Sequence, residues 1–286
     1  MIKRKIILAR IKRIEDLPSS VGKALKTMND PDVDMGQLTS VLERDPAITA
    51  NILRLANSAY FGATHKIASL RDAVVRLGSK QLFQLMLTVA VAPRMSPAVS
   101  GYDMPACALL EQSLAVAVAS ELSAATLDIQ APPHTFTAGL LANIGKIVLG
   151  QFLEVSGQEI VSLAEEREIP FDQAEREILG IDHLEVGAEL LRNWSIPEEI
   201  VQVVRYRLQP DLLPSRNLAL DLVHVGDAIT RMTGIGQGFD GMHYPISGQV
   251  IERLGMNSRH VEQIMSLLVD RVEELQRLLP KCEGDI

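Results

Sequence analysis

The sequence is sparing with the residues that most readily announce a chemistry. Cysteine occurs twice, as Cys107 and Cys282. Two cysteines give no disulfide framework and no cysteine-rich zinc site, and they suit a reducing cytosol. Long apolar runs are missing as well. The most apolar stretch, "LFQLMLTVAVAP" from Leu82 to Pro93, contains Gln84 and falls well short of the roughly 20 residues a membrane span needs. The N-terminal "MIKRKIILARIKR" has no apolar core followed by small residues, so it does not read as a signal peptide. No repeat of solenoid period is visible, and no glycine-rich phosphate loop follows a strand. Positive charge is in deficit too. The formal net charge is −8, and most of such a surface repels a polyanion. The basic N-terminus therefore reads as a first element pairing with acidic surface rather than as an arm for nucleic acid or anionic lipid.

What is present is helical periodicity. The 286 residues, 47% of them hydrophobic and 22% charged, suffice for one large domain or two modest ones with a substantial core. "DMGQLTSVLERD" sets Met35, Leu38, Val41 and Leu42 on one face. "DPAITANILRLANSAYFG" has Asp45 as a plausible N-cap, Pro46 at the first helical position, and a stripe of Ile48, Ile52 and Leu55. "SLRDAVVRLG" opens with a spacing close to a capping box, Ser69 to Asp72, and stops at Gly78. "SKQLFQLMLTVAVA" is apolar nearly all round and reads as a buried helix. Residues 93–105, with three prolines, read as a connector. Long helical patterns follow to the end of the chain, one of them starting at Asp182. Only the first dozen residues invite a strand, so the chain is expected to be all-α.

Several stretches together resemble the HDOD family, the HD-related output domains of bacterial signalling proteins. They are "LPSSVGKALKTMND", "VLERDPAITANILRLANSAYFG", "IASLRDAVVRLGSKQLFQLML", "AGLLANIGKIVL", "ILGIDHLEVGAELLRNWSIPEEIV" and "LVHVGDAI". The resemblance runs over roughly residues 14–279. It implies a two-lobed helical bundle: an N-terminal lobe at 1–92, the connector at 93–105, and an HD-like lobe at 106–286, forming one HDOD unit. That family is in turn similar to the HD phosphohydrolases, where imidazoles and carboxylates from several helices hold one or two divalent metals and a metal-activated water attacks phosphate.

The resemblance carries the HD metal-ligand positions onto this chain one by one. The early His corresponds to Gln112 in "LEQSLA", and the His-Asp doublet to Ala142 and Asn143 in "GLLANIGKIVLG". Lys146 follows one turn later. A His survives as His183 in "DHLEVGAELL", while a His pair of catalytic relatives corresponds to Arg205 and Tyr206. The late Asp survives as Asp227, with His224 a turn before it. Ala has no donor atom, and neutral amides bind a dication weakly, whereas a catalytic site needs about three protein ligands. The expectation is therefore no cofactor and no enzyme: a signalling or scaffold module in the cytoplasm, contacting another signalling protein, with any input coming from a separate chain or ligand. The alternative is a residual phosphohydrolase with a divalent metal on His183, Asp227 and His224. A nucleotide or nucleic-acid binder is a further alternative, which the net charge disfavours.

Other features take plainer readings. Asn143 and Lys146 read as a helix cross-link and a snorkelling lysine. "DGMHYP", Asp240 to Pro245, resembles a "GYP" signature but reads as a loop. "LAEEREIPFDQAEREI" reads as a solvated helical face. Tyr60 and Phe61 are expected to close the interface between the lobes.

Overall fold

The computed structural model describes residues 2–28, 35–61, 66–241 and 244–279. Among them there are helices and no strand; Val99 and Met104 form one isolated bridge. The N-terminal lobe comprises α1 (Ile2–Ile11), α2 (Ser19–Met28), α3 (Met35–Glu43), α4 (Pro46–Ala56) and α5 (Leu70–Met95). The HD-like lobe comprises α6 (Ala108–Thr126), α7 (Thr135–Leu141), α8 (Lys146–Arg167), α9 (Phe171–Leu179), α10 (His183–Asn193), α11 (Glu198–Tyr206), α12 (Leu218–Thr233), α13 (Gly248–Leu254) and α14 (Ser258–Gln276).

Ile2–Ile11 are helical, not extended. Ile7 and Ile11, one turn apart, are both buried, because α1 lies across α8 and α10 of the other lobe. Arg4 pairs there with Glu185, and Lys3 Nζ donates to Ser156 Oγ at 3.4 Å. The basic start of the chain thus meets acidic and polar surface of the second lobe.

The caps read from sequence form as expected. The Asp45 side chain accepts from the Ile48 N–H, with Pro46 in the first turn, and Ile48, Ile52 and Leu55 are buried. Ser69 Oγ accepts from the Asp72 N–H at 3.0 Å. Gly78 interrupts α5 with φ 84°, a value open to glycine at no steric cost. The chain then resumes as the buried second half of α5 and runs past Pro93 to Met95. Residues 96–105 hold a single 3₁₀ turn, Ser100–Tyr102, that packs on α8, and Tyr102 is fully buried. Cys107 is disulfide-bonded, which the cysteine count did not lead us to expect; Cys282 lies outside the described residues.

In the second lobe α6 is the central helix, packed on α7, α12 and α14. The span Thr135–Glu154 is apolar and long enough by composition to cross a membrane, but 83% of it is buried inside the protein, as befits core. It is also not one helix, since residues 142–145 form a turn between α7 and α8. Tyr60 and Phe61 meet edge to face at 5.0 Å, and Tyr60 OH donates to Glu121 of α6 at 2.8 Å. This joins the two lobes as the sequence suggested.

Candidate functional site

The turn between α7 and α8 builds the centre of the second lobe. A β-carbon on Gly145 would stand 2.0 Å from the His183 carbonyl oxygen and 2.6 Å from the Gly187 nitrogen. Only glycine lets this turn lie directly against α10. Asn143 and Lys146 are thereby brought to the first turn of α10, whose N-cap Asp182 accepts from the Glu185 N–H at 2.6 Å. From α9, Glu175 Oε2 accepts from both the backbone N–H of His183 (2.9 Å) and its Nδ1 (2.7 Å), and Oε1 accepts from Tyr102 OH at 2.5 Å. The carboxylate leaves His183 Nε2 as the lone-pair nitrogen.

That lone pair faces an arginine. Arg207 follows directly on α11 and is 1% exposed. Its Nη2 donates to Asn143 Oδ1 at 2.6 Å and to His183 Nε2 at 3.1 Å. Its Nε lies 4.0 Å from Asp227 Oδ1 on α12. Asp227 is bound on its other oxygen by Arg231. His224 is fully engaged: Nδ1–H donates to the Arg207 carbonyl at 2.6 Å, and Nε2 accepts from the Ser247 N–H at 3.0 Å. Beside this group Lys146 forms an ion pair with Asp240 at 2.9 Å, donates to Gln112 Oε1 at 3.2 Å, and lies 5.1 Å from the Tyr102 ring centre. Tyr244 OH donates to the same Asp240 oxygen at 2.8 Å.

The positions carried over by resemblance divide into two sets. Gln112, Asn143, Lys146, His183, His224 and Asp227 converge on one buried polar cluster. Ala142 is buried apolar core. Arg205 and Tyr206 do not join the cluster: Arg205 sits at the margin, 3.9 Å from Asp182 and 5.6 Å from the Tyr206 ring. The reason is helical phase. Ile200, Val201, Val203 and Val204 form the buried face of α11, and Arg207, three residues past Val204, continues that face while Arg205 and Tyr206 turn away from it. Glu175 was missed for the same kind of reason. It shares the buried face of α9 with Phe171, Asp172, Ala174 and Leu179, so the acidic stretch is a solvated face at Glu165 to Glu168, Gln173 and Glu177 but not at Asp172 and Glu175. The Asp240–Pro245 segment is irregular, as expected of a loop, yet Asp240 and Tyr244 belong to the site; Met242 and His243 lie outside the described residues.

An HDOD domain profile matches residues 14–210. This chain belongs to the HDOD domain family. Among solved structures it is similar to an HDOD domain protein of unknown function from Geobacter sulfurreducens, with 26% identity, a TM-score of 0.72, and coverage of 98% of this chain and 100% of that one. A Shewanella amazonensis protein described as a candidate phosphohydrolase shares the fold at 24% identity and a TM-score of 0.69, covering 96% of this chain and 98% of that one. A Marinobacter aquaeolei protein described as a candidate signal transduction protein shares it at 23% identity and a TM-score of 0.67, covering 93% of this chain and 59% of that one. An uncharacterized protein of Treponema pallidum is 28% identical over 204 residues, which span 70% of this chain and 38% of that protein's length.

The donors of this HDOD protein do not fit a divalent metal. His183 Nε2 and Asn143 Oδ1 each accept from Arg207, Asp227 is held by arginine, and both nitrogens of His224 are in use. No group of three or more His, Cys, Asp or Glu suited to a metal occurs among the described residues.

The electrostatics of the cluster set a pH dependence. Burial pushes His224 below the ordinary histidine range, against the opposing hydrogen bond to the Arg207 carbonyl and the charge of Asp227. Burial alone would raise Asp227 and Asp240. Arg231, Arg207 and Lys146 outweigh it at the first, and Lys146 at the second, so both carboxyls lie below their ordinary range. A depressed folded-state pKa gives stability that is full above the unfolded value and lost as pH falls toward the folded one. The His224 contribution is thus lost below about pH 6.5, and those of Asp227 and Asp240 below about pH 4. Asp172 and Glu121 are raised, chiefly by burial, and act in the opposite sense. Thermal melts are expected to show Tm falling between about pH 6.5 and 5.5, before carboxylates of ordinary pKa titrate. A flat profile there would contradict a buried neutral His224.

Proposed function

We propose that this HDOD protein is a non-catalytic signalling module that works through contact with another protein. One observation carries the reading: the guanidinium of Arg207 takes the lone pairs of Asn143 and His183 and lies beside Asp227, the positions from which an HD centre would hold its metal. Hydrolysis of a phosphodiester through such a centre needs open ligand positions for a metal and its water. Apolar surface supports the contact role. Leu212, 63% exposed, and Ile246 stand at a groove of about 380 Å³ lined also by Leu208, Pro210 and Pro245, and exposed apolar patches commonly mark association sites.

The test is hydrolysis of bis(p-nitrophenyl) phosphate with Mg²⁺, Mn²⁺ or Ni²⁺ added in turn. No turnover above the protein-free blank is expected with any ion. Turnover abolished by Asp227→Ala would sink the proposal and restore the phosphohydrolase reading.

A further inference from the structure

In a metal centre built on histidine, a carboxylate takes one ring N–H and aims the other nitrogen at the cation. Two parts of that arrangement survive here. Glu175 holds Nδ1 of His183 at 2.7 Å, and Nε2 is aimed at a cation, Nη2 of Arg207, at 3.1 Å. The same Nη2 donates to Asn143 at 2.6 Å, and Asp227 stands 4.0 Å from Nε. Four elements, the α7–α8 turn, α10, the end of α11 and α12, therefore meet on one buried guanidinium. We infer that Arg207 is the resident cation of this lobe: a tethered guanidinium that replaces a divalent ion and locks these four elements together without one.

The neighbouring substitutions agree with a change from two positive charges to one. Asn143 is a neutral amide where the resemblance places a carboxylate, and Ala142 and Gln112 stand where it places imidazoles. Lys146 and Arg231 supply further positive charge alongside, each paired with a single Asp, Asp240 and Asp227. A dication would find both aspartates already paired with Lys146 and Arg231, whereas one planar guanidinium can donate in several directions at once. Its remaining donors are not all used: Nε and Nη1 of Arg207 and Nδ2 of Asn143 have no hydrogen-bond partner among the described residues. A carboxylate at position 143 would supply an acceptor in place of the idle amide donor.

The experiment compares thermal melts of wild type, Arg207→Ala and Asn143→Asp, with metal content measured alongside. Wild type is expected to retain no stoichiometric metal and to shift by no more than about 1 °C between EDTA and about 0.1 mM Mn²⁺. Arg207→Ala is expected to melt about 5–10 °C lower, and about 50 mM guanidinium chloride should recover at least half of that loss by refilling the cavity, while the same salt leaves wild type unchanged or lower. Asn143→Asp is expected to melt at the wild-type temperature or above it. Stoichiometric metal in wild type, an Arg207→Ala protein as stable as wild type, or a folded Arg207→Ala protein indifferent to guanidinium would each overturn the inference. If Arg207→Ala does not fold, Asn143→Asp decides: a fall of more than about 3 °C overturns it. The inference rests on the non-catalytic reading of the same site, but the two can fail separately. Diester turnover would end that reading, whereas a metal-free wild type insensitive to loss of Arg207 would end only this one.

Discussion

Lys146→Met is expected to lower Tm by about 6–10 °C, corresponding to the roughly 3–5 kcal/mol that breaking a buried ion pair costs in a chain of this size. The lysine is 2% exposed, and its partner Asp240 is equally hidden. Methionine fills much the same volume, so little of the loss comes from packing. The loss comes from Asp240, which would keep only Tyr244 OH as a donor and whose Oδ1 already has no partner among the described residues. Burial alone pushes this carboxyl up, and Lys146 is the first influence that pulls it down. The single variant should therefore also raise the Asp240 pKa, so that Asp240 no longer adds to the acid-side loss and the deficit against wild type narrows as pH falls and the buried carboxyl takes up a proton. Adding Asp240→Asn to Lys146→Met should recover part of the deficit, because the unpaired charge is gone. A single variant melting within about 2 °C of wild type would mean that water reaches Asp240 readily.

Gly145→Ala is expected to be as severe, by a different mechanism. The new β-carbon would meet the His183 carbonyl oxygen at 2.0 Å and the Gly187 nitrogen at 2.6 Å. Both are backbone atoms of a packed helix, so no side chain can swing aside, and α8 or α10 must move. Such overpacking costs about 1–3 kcal/mol where side chains can adjust and more where they cannot, so a loss of at least about 5 °C is expected. The movement would also separate Asn143 from Arg207. Gly22→Ala in α2 is the control: nothing lies within 4 Å of its would-be β-carbon, and alanine favours a helix over glycine by up to about 1 kcal/mol. Melting curves of the two variants should move in opposite directions. Equal behaviour would show that the α7–α8 turn has room the distances deny.

The local parts of this structure were legible without any coordinates. Asp45, Ser69 and Asp182 cap helices because a short oxygen side chain before an apolar stripe satisfies the first free N–H groups, and each does so where the pattern placed it. The buried stripe of α4 follows from a period of 3.6 residues. Helical phase held more than was taken from it. Arg207 and Glu175 both lie on apolar faces, and a charged residue in such a place is itself a sign of a buried partner. The N-terminus misled because ten residues of mixed basic and apolar character carry little period of their own, and their conformation follows from the surface of α8 and α10 beneath them.

By itself, then, the sequence determined an all-α chain of the HDOD family and the helices that carry it. Those facts depend on residues near one another in the chain or on single positions. Only the tertiary structure decided which side chains meet at the centre of the second lobe. Asn143, Glu175, His183, Arg207, Asp227 and Asp240 are scattered over nearly a hundred positions, and no local rule relates them. Their meeting depends on a glycine that lets two helices touch and on the low-dielectric interior, where a buried charge must find a partner.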